Sequence, residues 1–376
     1  RVSGPALQAP SFPADTLGAR NLMAKRSTPI VGLEIEPAAV HAAAVTVNGA
    51  VRVKQAAMVP LETGVVRDGE INDVDALTEA LRALYRDNKG LGKKVRIGVA
   101  NQKIVVRIIE LPPITDRKEL EAAVRFQAQD EIPMPLDSAV LDFQPLGTVE
   151  TENGKRLRVV IVAARRDMVE RVLTACRNAG LKPEGIDLSA FAMIRALYRP
   201  PLDPELDQEP VLYLSVGGLT NLAVAEGTTC LFTRVVGGGL EAIAVELAER
   251  KALTLEQARG WLRHVGLLAP LEEIPSDDQD EIVAEARAVL LDGVRRIGGE
   301  VRNSLDFHHA QEGVSLRVQR AVLTGAAGTI PGFDEALAAE LGMPVQSGIV
   351  EGAPEGVDPH LLTIAAGLAV EEAPHA

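Results

Sequence analysis

The chain repeats one short pattern of strands about 180 residues apart, and this repeat constrains the fold more than any other feature. Residues 30–58 are predicted to form three strands joined by short turns, the second of which holds Asn48-Gly49, a dipeptide typical of tight hairpins. Residues 211–236 repeat this pattern, and helical periodicity follows each copy. The sequence therefore predicts an α/β fold of two related lobes that face each other across a cleft.

The segment between the two copies predicts a small α+β subdomain. It contains alternating strand-like and helix-like stretches that could pack on one face of their own sheet. We therefore divide the chain into a first lobe at 29–94 with 185–208 and 358–372 packing on it, an inserted α+β subdomain at 95–184, and a second lobe at 209–357.

The first 28 residues differ from the rest of the chain. They are rich in Pro, Ala, Gly and Ser and have no periodic apolar face, so we expect residues 1–28 to be disordered. Met23 precedes the first convincing strand, and we expect the biological start there, which leaves open whether residues 1–22 exist in the native protein.

Charge and composition narrow the class of partner. The formal net charge is −13, and the lysines and arginines are scattered among acidic residues, which argues against nucleic acid as a partner. No apolar run approaches the roughly 20 residues of a membrane-spanning helix. Cys176 and Cys230 form no C-x-x-C pair, which fits a reducing cytoplasm.

Several stretches resemble a known family. The duplicated hairpins and the late turn LTGAAGTIPGF resemble the actin-like ATPase superfamily. Within it, RFQAQDEIPMPLDSAVLDFQ, VVIVAARRDMVERVLTACRNAGLKPEGIDLSAFAMIRAL and DPHLLTIAAGLAV resemble the type IV pilus assembly protein PilM family, which is related to the division protein FtsA. The resemblance runs from about Pro29 to Val370, and IPMPLD is its most discriminating segment.

The resemblance implies a fold, a location and partners. The fold would be the duplicated two-lobe actin-like (ribonuclease H-like) fold with an inserted α+β subdomain. The protein would be a cytoplasmic adaptor, held at the inner face of the bacterial inner membrane by its partners. A groove beside the insertion would take the N-terminal cytoplasmic peptide of a PilN-like membrane protein, and the adaptor would link that protein to the pilus motor ATPase. We expect Val105, Arg107 and Ile109 to line this groove.

The resemblance also implies a nucleotide cleft, from which this sequence departs. Each actin-like hairpin carries Asp-x-Gly, because a carboxylate organises Mg²⁺ and its water while a glycine lets backbone N–H groups approach the phosphates. This chain has Glu34-Ile35-Glu36 and, at the matching positions, Ser215-Val216-Gly217. Glu36 places bulk and negative charge where a polyphosphate would lie, so we expect a degenerate cleft without catalytic residues.

ATP and Mg²⁺ are the cofactors that the family implies. Glu34 could reach a metal-bound water, the second hairpin retains groups able to donate to phosphate, and the base-side turn keeps two glycines around alanines. The candidate cofactor-binding residues are Glu34, Gly217, Gly218, Thr220 or Asn221, Gly325 and Gly328.

Two other functions stay open at this point. The chain could be an active actin-like ATPase in which glutamate replaces aspartate, or an FtsA-like cytoskeletal protein that self-associates into filaments. IPMPLD favours the adaptor over the filament. The sequence does not say which peptide is bound, or whether the system serves pili, motility or DNA uptake.

Overall fold

The computed structural model describes residues 29–151, 154–200, 209–268, 280–311, 314 and 316–370. The predicted disordered segment 1–28 lies outside these residues, as do 201–208 and 371–372 of the predicted lobes. The described chain divides into an inserted unit, Ile104–Arg166, and a two-lobed unit formed by Pro29–Lys103 and the chain from Asp167 onward.

Strands and helices alternate along the described chain. The strands are β1 (Val31–Ile35), β2 (Ala39–Asn48), β3 (Ala50–Pro60), β4 (Val66–Arg67), β5 (Glu70–Ile71), β6 (Lys94–Val99), β7 (Val105–Leu111), β8 (Ala139–Thr151), β9 (Gly154–Arg165), β10 (Lys182–Leu188), β11 (Val211–Val216), β12 (Thr220–Glu226), β13 (Thr229–Val236), β14 (Ala321–Thr324) and β15 (Val345–Ser347). The helices are α1 (Val74–Asp87), α2 (Arg117–Glu131), α3 (Arg166–Asn178), α4 (Ser189–Leu197), α5 (Leu240–Lys251), α6 (Leu255–Val265), α7 (Asp280–His309), α8 (Phe333–Leu341) and α9 (Thr363–Leu368).

The two-lobed unit is a structural duplication, as the repeated pattern predicts. The first sheet has the order β10-β6-β1-β2-β3 and the second has the order β15-β14-β11-β12-β13. In each sheet the first three strands form antiparallel hairpins, and the last two run parallel to the first. We call the first sheet with α1 and α3 the first lobe, and the second sheet with α5 to α8 the second lobe.

Local sequence explains the first lobe well. The side chain of Asp73 accepts a hydrogen bond from the backbone N–H of Ala76 and so caps the start of α1. Leu77, Leu81 and Leu84 recur at helical spacing, and all three are buried in the core of this lobe. This leucine stripe therefore belongs to the core of the first lobe.

Two short helices, α4 and α9, pack between the two sheets and belong to both lobes. They share one hydrophobic cluster with the inner faces of β2, β3, β11 and β12. Small residues permit the close approach: a Cβ on Gly32 would lie 1.9 Å from the carbonyl oxygen of Ala365, and one on Gly367 would lie 1.8 Å from that of Ala192. Both faces of each sheet are thus covered.

The inserted unit is a three-stranded antiparallel sheet, ordered β7-β9-β8, with α2 on one face. Leu120, Val124 and Ala128 of α2 are buried against this sheet. The unit is shorter than the predicted 95–184, because β6 and β10 pair with each other and extend the first lobe's sheet beside β1. That pairing joins residues far apart in the chain, so local pattern does not reveal it.

Candidate functional site

The turns of the β1–β2 and β11–β12 hairpins line one side of a cleft of about 730 Å³. Small-molecule sites typically enclose roughly 300–1,000 Å³, so the cleft has the size of a nucleotide site. Its charged lining is mainly acidic. The carboxylates are Glu34, Glu36, Glu62, Glu241 and Glu256, and the guanidinium groups are those of Arg259 and Arg263.

The ends of β1 and β11 carry equivalent polar pairs, of which Glu34, His41 and Ser215 line this cleft. Glu34 stands opposite His41 in the first hairpin, and Ser215 stands opposite Asn221 in the second. The Nδ1 of His41 lies 3.6 Å from Oε2 of Glu34, which is too long for a hydrogen bond. That Nδ1 and Oδ1 of Asn221 are buried without a hydrogen-bond partner among the described residues.

Glu36 crosses the cleft from the first hairpin to the second. The backbone N–H of Gly218 donates a hydrogen bond of 2.6 Å to Oε2 of Glu36. Burial, followed by the charge of Glu34, raises the pKa of Glu36 to about 8; Glu241 adds to this, and the Gly218 N–H opposes it. At neutral pH a large share of this carboxyl group is therefore protonated.

The glycines expected to admit phosphates are instead close to protein atoms. A Cβ on Gly217 would lie 2.7 Å from Oε2 of Glu36, and one on Gly218 would lie 2.4 Å from Cδ of Pro37. A Cβ on Gly325 would lie 2.7 Å from the hydroxyl of Ser215. The space beside these three glycines is used by the chain itself.

Gly328 and Thr220 are also engaged inside the protein. A Cβ on Gly328 would lie 2.4 Å from the imidazole of His360. Thr220 is fully buried, and its hydroxyl donates to the carbonyl oxygen of Gly238 at 2.9 Å, whereas Asn221 lines the cavity that extends from the cleft. The expectation that Thr220 donates to a phosphate is therefore wrong, because its hydroxyl already has a partner.

Arg259, one of the two arginines that line the cleft, is paired as well. The Nε and Nη2 groups of Arg259 both donate to the carboxylate of Glu241, Nε to Oε2 at 2.9 Å and Nη2 to Oε1. A bidentate pair of this kind neutralises the cation that a polyphosphate would need. Among the described residues, no three His, Cys, Asp or Glu side chains are grouped as a metal ion would require.

These contacts decide whether a nucleotide triphosphate fits the residues present. The carboxyl group of Glu36 occupies the backbone donor of the second hairpin, and the lining is acidic. The volume lies in the range of nucleotide sites, whereas the Gly218 N–H already has an internal acceptor and carboxylates outnumber arginines in the lining.

Sequence reasoning missed a hydrogen-bonded chain of Ser347, His360 and Asp358. The Ser347 hydroxyl lies 2.7 Å from Nε2 of His360, and Oδ1 of Asp358 lies 2.7 Å from Nδ1. This order is that of a nucleophilic triad. However, Oδ1 of Asp358 also accepts the backbone N–H of His360 and caps the 3₁₀ turn Pro359–Leu362, so we assign the chain to the anchoring of β15.

The predicted groove residues lie on β7, an edge of the inserted sheet. Among the described strands of the inserted unit, β7 pairs with β9 alone. Arg107 is exposed and Val105 is half-buried, but Ile109 is buried in the core of the inserted unit. The side chain of Ile109 therefore cannot line a groove, because it packs against α2; the groove itself stays a prediction.

The duplicated sheets and the cleft between their hairpins define a protein of the actin-like ATPase fold. The structure is similar to that of a PilM-PilN type IV pilus biogenesis complex, with a TM-score of 0.74, 26% identity, and coverage of 91% of this chain and 97% of the other. A lower similarity, with a TM-score of 0.49 and 17% identity, relates it to the ethanolamine utilization protein EutJ from Carboxydothermus hydrogenoformans, covering 90% of this chain and 88% of EutJ.

The family follows from the sequence match. The model of the family described as type IV pilus assembly protein PilM matches residues 32–351, and the chain belongs to this family. Of the helices within the described residues, none combines the length and apolarity that a bilayer crossing requires.

Proposed function

We propose that this protein is a cytoplasmic adaptor of the type IV pilus inner-membrane assembly complex. It binds the N-terminal cytoplasmic peptide of a PilN-like membrane protein and links that protein to the pilus motor ATPase. The observation that carries this proposal is the similarity to a PilM-PilN complex over 97% of that complex's matched chain. Membership of the PilM family supports the same assignment.

The peptide is proposed to bind along β7. An edge strand offers backbone N–H and C=O groups that an extended peptide can pair with, which is strand addition to a sheet. Arg107 is exposed at this edge, where it can select for an acidic peptide side chain.

The cleft is proposed to serve the scaffold without hydrolysing ATP. Glu36 holds the Gly218 amide, and the guanidinium of Arg259 is paired with Glu241. An adaptor needs only a defined arrangement of its two lobes, for which no turnover is required. Magnesium-dependent ATP hydrolysis that Glu34→Ala abolishes would instead favour the ATPase alternative.

Peptide binding is the test. Fluorescence anisotropy would follow a labelled synthetic peptide, the N-terminal cytoplasmic segment of the host's PilN-like protein, titrated with the full chain. Arg107→Glu should weaken binding by about tenfold, which corresponds to roughly 1.4 kcal/mol. Arg125→Glu is the matched control, because it makes the same charge change on an exposed face of α2.

Three results would contradict parts of this proposal. No binding by the wild-type chain would remove the adaptor assignment. Equal weakening by both arginine variants would indicate a general charge effect in place of a site on β7. Undiminished peptide binding by Arg107→Glu would indicate that the peptide binds to a surface other than β7.

A further inference from the structure

We propose that Glu36 is a built-in ligand of the second hairpin, whose carboxyl group takes the place of a nucleotide phosphate on the backbone N–H of Gly218. It joins the two lobes of the protein without a nucleotide. This inference rests on the proposed adaptor function, in which the cleft does not turn over ATP.

The contact itself has the geometry of an anion site. The acceptor, Oε2 of Glu36, and the donor, the N–H of Gly218, are 2.6 Å apart and belong to residues 182 positions apart in the chain. A backbone N–H in a glycine turn is a donor that phosphate groups use, and a carboxyl oxygen can accept the same hydrogen bond. The two ligands therefore compete for one donor.

The second hairpin is shaped around this carboxyl group. A Cβ on Gly217 would lie 2.7 Å from Oε2 of Glu36, and one on Gly218 would lie 3.0 Å from the same atom. Real Cβ atoms do not sit at the first of these distances without displacing the neighbour. The Gly217-Gly218 pair thus provides room for an internal side chain.

The first hairpin holds Glu36 in position. The backbone N–H of Glu36 donates to the carbonyl oxygen of Ala39 at 3.0 Å and closes the β1–β2 turn. Pro37 follows directly, and a proline restricts the backbone of the residue before it to extended conformations. The ring of Pro37 also lies against Gly218, so the turn itself contacts the other lobe.

The surroundings favour a carboxyl group over a polyphosphate. Glu34 and Glu241 both act on Glu36, and their charges would act equally on a phosphate in its place. A single carboxyl can take up a proton in such a place, as the raised pKa of Glu36 indicates, whereas a triphosphate would remain strongly charged. The occupied space and the neighbouring negative charges therefore both act against a polyphosphate at this position.

Substitutions of Glu36 separate the effect of the space that its side chain occupies from the effect of its charge. Glu36→Gly gives the first hairpin a Glu-x-Gly sequence, close to the Asp-x-Gly of actin-like hairpins, and frees both the N–H donor of Gly218 and the space beside it. Glu36→Gln keeps the size and the oxygen acceptor but cannot ionise. Glu62→Gly is the matched control, because it removes another carboxylate from the same cleft without touching Gly218. Glu36→Ala serves as a second vacating variant if the glycine form is poorly folded.

Calorimetric titration with Mg²⁺-ATP, and with Mg²⁺ alone, measures nucleotide and metal binding by the full chain. Glu36→Gly should bind Mg²⁺-ATP at least about tenfold more tightly than the wild type, while Glu36→Gln and Glu62→Gly should not gain. Hydrogen exchange at the Gly218 amide should be faster in Glu36→Gly than in the wild type and in Glu36→Gln.

Several outcomes would overturn the inference. Wild-type binding of Mg²⁺-ATP as tight as that of a folded Glu36→Gly or Glu36→Ala would show that the carboxyl group does not hold the site. Mg²⁺ binding that Glu36→Gln abolishes would make Glu36 a metal ligand. A gain of nucleotide binding by Glu36→Gln would mean that charge alone, and not occupancy, excludes the phosphate.

The wild type and the Glu36 variants also allow this inference and the adaptor proposal to be tested independently. Peptide binding by the wild type and the Glu36 variants is measured with the labelled PilN-like peptide, independently of nucleotide. Wild-type peptide binding together with tight wild-type nucleotide binding would overturn the Glu36 inference alone. Loss of peptide binding in the wild type would overturn the adaptor and leave the contact of Glu36 with Gly218 to be judged by the titrations.

Discussion

The stability of this protein should fall as the pH rises through the titration of Glu36. The pKa of its carboxyl rises from 4.5 to about 8 in the folded protein, chiefly through burial and the charge of Glu34. A raised pKa means that folding favours the protonated form. The stabilisation is therefore fully present below about pH 4.5 and is lost as the pH approaches 8.

The size of the effect follows from the shift. One pKa unit corresponds to about 1.4 kcal/mol, so Glu36 can account for at most about 5 kcal/mol between these limits. Glu36→Gln cannot ionise and retains the oxygen that accepts the Gly218 N–H. The stability of the wild type relative to Glu36→Gln should thus decrease steadily from pH 5 to pH 8 and then level off.

Urea denaturation of both proteins at several pH values between 5 and 9 gives this difference by linear extrapolation. Glu34 and Glu241, whose charges act on Glu36, are present in both proteins, so their own contributions cancel to first order in the difference. Glu62→Gln corrects for the change of net charge. A difference that is flat with pH, or that grows in favour of the wild type as pH rises, would refute the buried position of this carboxyl group.

Two further predictions test the fold that positions the cleft. Gly367→Ala should destabilise the protein by about 2 kcal/mol or more, because its Cβ would lie 1.8 Å from a backbone oxygen of α4. Gly299→Ala in α7 is the control: its Cβ would meet nothing within 4 Å, so it should stabilise the protein by about 0.5–1 kcal/mol. Equal effects of the two substitutions in urea denaturation would contradict the packing of α4 on α9. Deleting 104–166 leaves every strand of both five-stranded sheets, so circular dichroism should show a cooperative thermal transition. Deleting 95–184 removes β6 except for Lys94, together with the first three residues of β10, and should abolish the transition; a cooperative transition in this longer deletion would contradict the strand order.

Features written in neighbouring residues could be predicted from the sequence. The Asn48-Gly49 turn forms with Gly49 at φ 72°, and α1 begins after its Asp73 cap. The duplication was also visible, because each copy carries its own alternation of apolar residues and its own turn. The family could be recognised from IPMPLD and its flanking segments, and the match over residues 32–351 confirms it.

Features that depend on distant partners could not be predicted in this way. The sequence predicts the insertion at 95–184, whereas the structure limits it to Ile104–Arg166, because the pairing of β6 with β1 and β10 is not visible in local pattern. Thr220 has a residue type that could donate to a phosphate, but its hydroxyl donates to the carbonyl oxygen of Gly238. Ile109 could line a groove by residue type, but its side chain is buried in the core of the inserted unit.

Glu36 illustrates the difference between what the sequence predicts and what the packing of the lobes determines. The sequence alone shows a glutamate where related hairpins carry a glycine, and it indicates that this residue would oppose a polyphosphate. The position of the carboxyl group follows from the fold, because the donor it binds, the N–H of Gly218, lies 182 residues away and is brought near by the packing of two lobes. Local patterns fix the hairpins, and the folded arrangement fixes which groups meet across the cleft.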